Sequence, residues 1–300
     1  MKVQKRAQLT GHTAAVFALA EGSGRGDFFS GAGEGWLVHW HLDAPDTGKL
    51  VAKVDNQVFA MLHLAEQGML LAGTMHGGLH WIDLEHPEAT RNVAHHQRGV
   101  FDLIQVDQFV YSAGGEGVLT RWSIDQKRTV ESIQLSNRSL RSLSYAPGIN
   151  EIAVGASDGH IYILDASSLV IKHVVAKAHE PSVFCVRYSP DEQGLYSGGR
   201  DAHLRIWNPH DNYANLSEFP AHWYTLNSIC FHPKGHLFAT ASRDRTIKIW
   251  DRADGQLLKV LDTIRHGCHI NSVNKLLWLS GDEVLVSVSD DRSIILWDLH

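Results

Sequence analysis

The chain has 300 residues, 44% hydrophobic and 20% charged, which is the balance of a globular chain with a sizeable core and not that of a disordered one. Lys and Arg number 27 against 33 Asp and Glu, and the net charge of −6 argues against a dedicated nucleic-acid binder while leaving room for a local basic patch. Glycine (26), tryptophan (9) and above all histidine (20) are conspicuous, and histidine in such number points either to metal or to a repeated structural role.

In chain order, Met1–Arg6 is polar and leads into no apolar stretch, so no secretory signal is expected. No run of 18 apolar residues exists, so no membrane span is expected. After Gly11-His12 the sequence begins to copy itself. Gly33-Glu34-Gly35 runs to Trp40, Met75-His76-Gly77 to Ile82-Asp83, Gly115-Glu116-Gly117 to Trp122, and Ser157-Asp158-Gly159 to Leu164-Asp165. The last three copies are the clearest: Gly199-Arg200-Asp201 to Trp207-Asn208, Ser242-Arg243-Asp244 to Trp250-Asp251, and Ser289-Asp290-Asp291 to Trp297-Asp298. Positions 40, 82, 122, 164, 207, 250 and 297 mark the period, at spacings of 42, 40, 42, 43, 43 and 47. Within one copy, Leu237–Ala241 is a short apolar run, Arg243-Asp244-Arg245 a turn, and Thr246–Trp250 alternates with period two, as a half-buried strand does. No long amphipathic helix is predicted.

A repeat of about 40–45 residues ending in Trp-Asp is the mark of a four-stranded blade. On these motifs the whole sequence resembles the WD-repeat β-propeller family. The resemblance implies an all-β, seven-bladed WD-repeat β-propeller with four antiparallel strands per blade, a single domain over 1–300 with repeats ending near 41, 83, 123, 165, 208, 251 and 298. The last Trp-Asp lies too near the C-terminus for the seventh repeat to have its own outer strand. Residues 1–9 are therefore expected to supply it and to close the ring.

Blades of this family often carry a hydrogen-bonded chain of His, Ser or Thr, Asp and Trp, because a buried indole N–H needs an acceptor and a buried carboxylate needs donors. Three repeats match fully: His179-Ser197-Asp201-Trp207, His222-Thr240-Asp244-Trp250 and His269-Ser287-Asp291-Trp297. Two place Glu in the acidic slot, His12-Ser30-Glu34-Trp40 and His96-Ser112-Glu116-Trp122, where the longer side chain can face solvent instead of closing the network. Repeats two and four lack the loop histidine. With Ala72, His76 and Ile82, and with Val154 and Leu164 beside a retained Asp158, they are expected to replace the polar network by apolar packing. Fifteen of the 20 histidines are left without a role.

Nothing in the sequence points to catalysis. There is no G-x-S-x-G, no P-loop, no H-E-x-x-H and no Cys/His zinc spacing, so no enzyme activity, cofactor or metal is expected. Cys185, Cys230 and Cys268 are widely separated, as suits reduced thiols in a cytoplasmic protein, or a nuclear one if the source is eukaryotic.

Binding is expected on the top face, where loops between blades open around the channel mouth. The second residues of the seven inner strands align as Phe17, Phe59, Phe101, Arg141, Phe184, Asn227 and Asn274. In some relatives this position lines the channel, and four phenylalanines there would form an aromatic collar able to grip an apolar or arginine side chain. The competing placement packs them between blades. Arg98, Arg138, Arg200, Arg243, Trp223 and Tyr224 add arginine and aromatic groups of the kind found at interface hot spots. The expected partner is a protein or peptide with an acidic or arginine-containing segment, bound by a non-catalytic scaffold acting as a monomeric ring or as a subunit of a larger complex. A small-ligand or enzymatic propeller using the channel mouth, and an arginine face binding nucleic acid or a chromatin component, are the alternatives. The absence of convergent acid and base groups weighs against the first, and net charge against the second.

Overall fold

A computed structural model describes residues 1–281 and 283–300. Strand β1 (Val3–Leu9) is followed by β2 (Val16–Glu21), β3 (Asp27–Ala32), β4 (Trp36–His41) and β5 (Lys49–Lys53), the first blade. The second comprises β6 (Val58–Leu64), β7 (Met69–Thr74), β8 (Gly78–Asp83) and β9 (Arg91–Ala94), and the third β10 (Val100–Val106), β11 (Phe109–Gly114), β12 (Val118–Ser123) and β13 (Arg128–Gln134). Blade four is β14 (Leu140–Ala146), β15 (Glu151–Ala156), β16 (Ile161–Asp165) and β17 (Ile171–Val175). Blade five is β18 (Val183–Tyr188), β19 (Leu195–Gly199), β20 (His203–Asn208) and β21 (Ala214–Pro220). Blade six is β22 (Leu226–Phe231), β23 (Leu237–Ser242), β24 (Ile247–Asp251) and β25 (Leu257–Leu261). The last blade is β26 (Val273–Trp278), β27 (Val284–Ser289) and β28 (Ile294–Leu299), completed by β1 in the order β1-β28-β27-β26.

The result is a seven-bladed propeller of four-stranded antiparallel sheets, closed by the N-terminal strand as the repeat arithmetic required. Val3 faces Leu299 and Leu9 faces Ile294 across the β1–β28 ladder. Beyond its end, Lys2 and His300 exchange both backbone hydrogen bonds at 2.9 Å.

Within each blade the strands are held apart by tight turns, and two glycines show why. Gly77 and Gly117 have φ of +83° and +91°. A Cβ on either would strike the backbone carbonyl of the loop entering the next blade, that of His96 or Ser136.

The chain divides into two compact units, Met1–Ala72 with Ile82–Thr90 and Asn227–His300, and Gly73–Trp81 with Arg91–Leu226. In the first, Phe28, Trp40, Val286 and Leu296 pack in one cluster, and Ile249, Leu276, Leu285 and Trp297 in another. In the second, Tyr111, Leu119, Leu143 and Ile152 form one cluster and Ile163, Val186, Leu195 and Trp207 another.

One irregularity recurs where it matters for binding. The register of inner strand to second strand slips between Val16 and Ala18, Val100 and Asp102, Leu140 and Ser142, Val183 and Cys185, and Val273 and Lys275. Each slip is a β-bulge. The residue inside it leaves the ladder and its side chain is re-aimed. Those residues are Phe17, Phe101, Arg141, Phe184 and Asn274.

Candidate protein-interaction site

The structural network comes first, because it fixes the turns that carry the loops. In blade five Trp207 Nε1 donates to Ser197 Oγ at 2.8 Å, Ser197 Oγ meets His179 Nε2 at 2.8 Å, and His179 Nδ1 meets Asp201 Oδ1 at 2.8 Å. The carboxylate can only accept, so Nδ1 carries the hydrogen and Nε2 accepts from the serine. Burial lowers the His179 pKa against the pull of Asp201, which suits the neutral ring this relay needs. For Asp201, burial alone would raise the pKa, but hydrogen bonds from His179 and Arg205 outweigh it and hold the carboxyl well below its usual range. The last blade repeats the relay with Trp297, Ser287, His269 and Asp291 at 2.9 Å for each link. In blade six Trp250 Nε1 donates to Thr240 Oγ1 at 2.9 Å, with His222 buried and Asp244 capping the turn through the N–H of Thr246 at 2.9 Å.

The two glutamate repeats do not turn their acid to solvent. Glu34 reaches His12 Nδ1 and Glu116 reaches His96 Nδ1, both at 2.5 Å, while Ser30 and Ser112 bridge to Trp40 and Trp122. The extra methylene is absorbed and each second carboxylate oxygen accepts a loop N–H, of Ala14 or Arg98. Blade two is apolar at three of the network positions, with Ala72 and Ile82 buried and Val54 in the loop slot, while His76 in the acidic slot is exposed. Its Trp81, one residue before the expected slot, is fully buried with no partner for Nε1. In blade four Val154 and Leu164 are buried in an apolar cluster as expected, but the retained Asp158 is held by polar donors the sequence reading did not name, Ser136 Oγ at 2.5 Å and Tyr162 OH at 2.7 Å.

The seven aligned inner-strand residues fall into two groups, one in each unit. In the first unit Phe17 and Phe59 lie edge to face with centroids 5.1 Å apart. Asn227 Nδ2 donates to Ser272 Oγ and Val273 O at 3.0 and 2.9 Å, and Asn274 Nδ2 to Val16 O and Asp290 Oδ1 at 2.9 and 2.8 Å. These two asparagines therefore stitch neighbouring inner strands.

In the second unit Arg141, from β14, lies 4.3 Å from the ring centre of Phe101 in β10 and 5.3 Å from that of Phe184 in β18. The slot that a partner's arginine would enter between these two rings is filled by the chain's own. Nε of Arg141 donates to Ser157 Oγ at 3.0 Å, and its charge is desolvated enough to lower its pKa. Arg141 lines an open cleft of about 630 Å³ with Arg98, Arg138, Ser139, Ser157 and Asp158. Arg98 and Arg138 hold the same position in successive loops, each carbonyl lying over the turn glycine of the preceding blade, Gly77 or Gly117. Both are exposed. Burial would raise the Asp158 pKa, but Ser136, Tyr162 and the His160 N–H outweigh it and keep the carboxyl below its usual range.

The inner strands that carry Phe101, Arg141 and Phe184 are tied to one another by side chains. Asp102 Oδ2 accepts from the Leu143 N–H at 2.8 Å, Ser142 Oγ accepts from the Val186 N–H at 3.2 Å, and Ser144 Oγ from the Tyr188 N–H at 2.9 Å. Blades three, four and five are thus cross-bonded through side chains that sequence reasoning passed over. The remaining predicted residues stay on the surface: Arg200 and Arg243 are exposed, Trp223 is 86% exposed and Tyr224 62%.

Among the described residues no three His, Cys, Asp or Glu are grouped to hold a metal ion, and no helix is long and apolar enough to cross a membrane. The stray histidines take small local roles. His160 and His203, two residues after their turn aspartates, meet the carbonyls of Asp158 and Asp201 at 3.1 and 2.8 Å. His63 donates from Nδ1 to Glu21 O at 3.1 Å, and His39 pairs with Asp27 at 3.0 Å.

Comparison with known proteins agrees with this architecture. The family described as "WD domain, G-beta repeat" matches residues 171–208, 214–251 and 255–298. The chain is 33% identical over 192 residues to the nuclear distribution protein nudF of Emericella nidulans, covering 57% of this chain and 41% of that one. It is 26% identical over 171 residues to the nuclear distribution protein PAC1 of Arthroderma benhamiae, covering 54% and 36%. It therefore spans less than half the length of these curated relatives. Among solved structures, the WD40 β-propeller domain of Doa1 superposes with a TM-score of 0.88 at 18% identity, covering 100% of this chain and 97% of that one. With seven four-stranded blades and these matches, the chain is a seven-bladed β-propeller that carries WD repeats over residues 171–208, 214–251 and 255–298.

Proposed function

We propose that this protein is a non-catalytic interaction scaffold that binds a peptide or protein segment on the loop face of blades three to five, around Phe101, Arg141 and Phe184 with Arg98 and Arg138 at the rim. The observation that carries the reading is Arg141 itself. A partly buried cation stacked on aromatic rings, with a single neutral hydrogen-bond partner, is a costly arrangement for a chain to keep for stability alone. The cross-bonded inner strands support it, because Phe101, Arg141 and Phe184 are carried on strands already fixed before binding. The names of the nudF and PAC1 relatives fit an assembly role better than a chemical one, and the cleft brings together no acid–base pair suited to catalysis. The reading takes the ring as one domain, working alone or as a subunit. The occupied slot between Phe101 and Phe184 favours an acidic partner segment over an arginine-containing one.

Affinity capture with the wild type beside Phe101→Ala/Phe184→Ala, Arg141→Glu and, as a distant control, Arg6→Glu tests the site. Partners recovered by the wild type and the control but lost from the other two variants, at matched melting temperature, support it. Equal recovery by all four places the interaction elsewhere.

A further inference from the structure

We propose that the cleft beside Arg141 binds the phosphate of a phosphorylated serine or threonine in the partner segment; this rests on the interaction reading above and names the group recognised. Strand β14 packs between β10 and β18, and the rings of Phe101 and Phe184 flank the guanidinium from those two neighbours. Nε is committed to Ser157. What remains is the Nη edge, four N–H donors in a plane with no carboxylate paired to them among the described residues. A stacked guanidinium with its edge free is the geometry that grips two oxygens of one anion.

Charge selects among anions. Three guanidinium groups, Arg98, Arg138 and Arg141, line the cleft against one carboxylate, Asp158. Asp158 is occupied by Ser136, Tyr162 and the His160 N–H, and does not neutralise Arg141. The cleft thus carries a surplus of two positive charges. A phosphate monoester brings a charge of about −1.5 to −2 and three acceptor oxygens, which matches that surplus. A carboxylate leaves one charge unmatched, and an arginine on the partner is repelled. An extended polyanion fits less well, because Asp158 interrupts the basic wall and the whole chain carries −6. Ser157, whose Oγ accepts from Arg141, is a neutral hydroxyl at the same wall and can donate to a third phosphate oxygen.

The test uses the full chain, immobilised. It is offered an equimolar mixture of two degenerate peptide libraries of about 12 residues that differ only in a fixed central phosphoserine or serine, and enrichment is read by mass spectrometry. A third library with central glutamate and a single-stranded oligonucleotide of equal charge are run in parallel. The expected result is enrichment of phosphoserine over serine by at least about tenfold, falling toward unity in Arg98→Ala/Arg138→Ala and in Arg141→Lys, which keeps the charge but loses the planar fork. Millimolar inorganic phosphate should compete. Equal capture of phosphoserine and serine peptides overturns the proposal, as does a preference that survives in both variants, or tighter capture of the oligonucleotide. If serine or glutamate peptides bind without preference for phosphate, yet are lost from Phe101→Ala/Phe184→Ala, the interaction reading stands and only the phosphate assignment falls.

Discussion

Ser136 Oγ donates to Asp158 Oδ2 across 2.5 Å. The serine stands where other repeats place a histidine: its N–H bonds the carbonyl of Gly117 as the His96 N–H bonds that of Gly77 and the His179 N–H that of Gly159. Tyr162 OH supplies the second side-chain donor at 2.7 Å. Blade four has kept its turn acid and changed the donors that satisfy it. A half-buried carboxylate deprived of a donor costs about 1–3 kcal/mol. Ser136→Ala and Tyr162→Phe are each expected to lower stability by that amount, and the double variant by less than the sum, because both act through one carboxylate. Urea titrations of the four proteins check this. A neutral effect of both single changes would mean that Asp158 is satisfied by solvent.

The ring was legible because a repeat writes the same constraint seven times. Trp40, Trp122, Trp207, Trp250 and Trp297 fall in register, and an outer strand missing at one end with a spare segment at the other leaves one way to close. The closed glutamate networks were not legible, since Glu34 and Glu116 can point either way until the distance to His12 and His96 is known. The substitution of Ser136 for histidine was hidden for another reason: its slot is defined by a backbone bond to a glycine in the preceding blade, not by a motif. The candidate site was half legible. Alignment of the inner strands picked out Phe101, Arg141 and Phe184, which stack together in the structure. The β-bulges at Phe17, Phe101, Arg141, Phe184 and Asn274, and the stacking of Arg141 between rings from the two neighbouring blades, belong to tertiary structure alone.

The glycine turns make a sharp prediction. Gly117→Ala would place a Cβ against the Ser136 carbonyl at a backbone φ of +91° that L residues rarely adopt. The change is expected to cost about 2–4 kcal/mol, above the usual 1 kcal/mol or so for Gly to Ala at positive φ, because a backbone atom has to give way. Gly255→Ala is the control, since its φ of +71° imposes similar strain but nothing lies within 4 Å of the added Cβ. Thermal denaturation should show the larger loss for Gly117→Ala. Equal losses would remove the steric part of the argument.

Cys268 is buried, and burial pushes its thiol up to about 12. Cys185 is buried as well and Cys230 half-buried. Thiolate is the reactive form, so labelling of Cys268 in the folded chain at pH 8 is expected to be slower than that of a free thiol by a factor of about 10³ or more. All three cysteines should label at once in denaturant. Rapid modification of Cys268 without unfolding, read by mass spectrometry, would contradict its burial in the apolar cluster with Leu261 and Val273.

Ring closure predicts a large penalty for losing β1. Leu9 is 2% exposed and packs with Leu296 and Ile294, while Val3 packs with Trp297 and Leu299. Removing residues 1–9 takes away both side chains and exposes the β28 edge, so the melting temperature should drop by at least about 5 °C. Leu9→Ala alone should cost about 2–4 kcal/mol. A transition unchanged by the truncation would mean that blade seven holds together with three strands.

The turn carboxylates make stability depend on pH in a definite direction. Burial alone would raise Asp201 and Asp291, but His179 with Arg205, and His269 with Ser293, outweigh it and hold both carboxyls well below their usual range. A depressed folded pKa means that the unfolded chain binds the proton first as pH falls. The stabilisation is therefore complete above the unfolded value of about 4 and is lost progressively below it. His179 acts in the same sense over a higher window. Burial lowers its folded pKa, so below about 6.5 the unfolded chain takes up a proton that the folded chain refuses. Stability should thus begin to fall between pH 7 and 6 and fall faster below about pH 4. Asp201→Asn removes the charged acceptor of His179 and one of the two carboxylates on Arg205, which keeps Glu218, and should cost about 1–3 kcal/mol at pH 7. It should also flatten the limb below about pH 4, because one depressed acid no longer titrates. Urea midpoints from pH 3 to 8 for the wild type, Asp201→Asn and Asp291→Asn decide it. Variants that lose stability at neutral pH but keep the wild-type acid slope would show that the proton uptake resides in other groups.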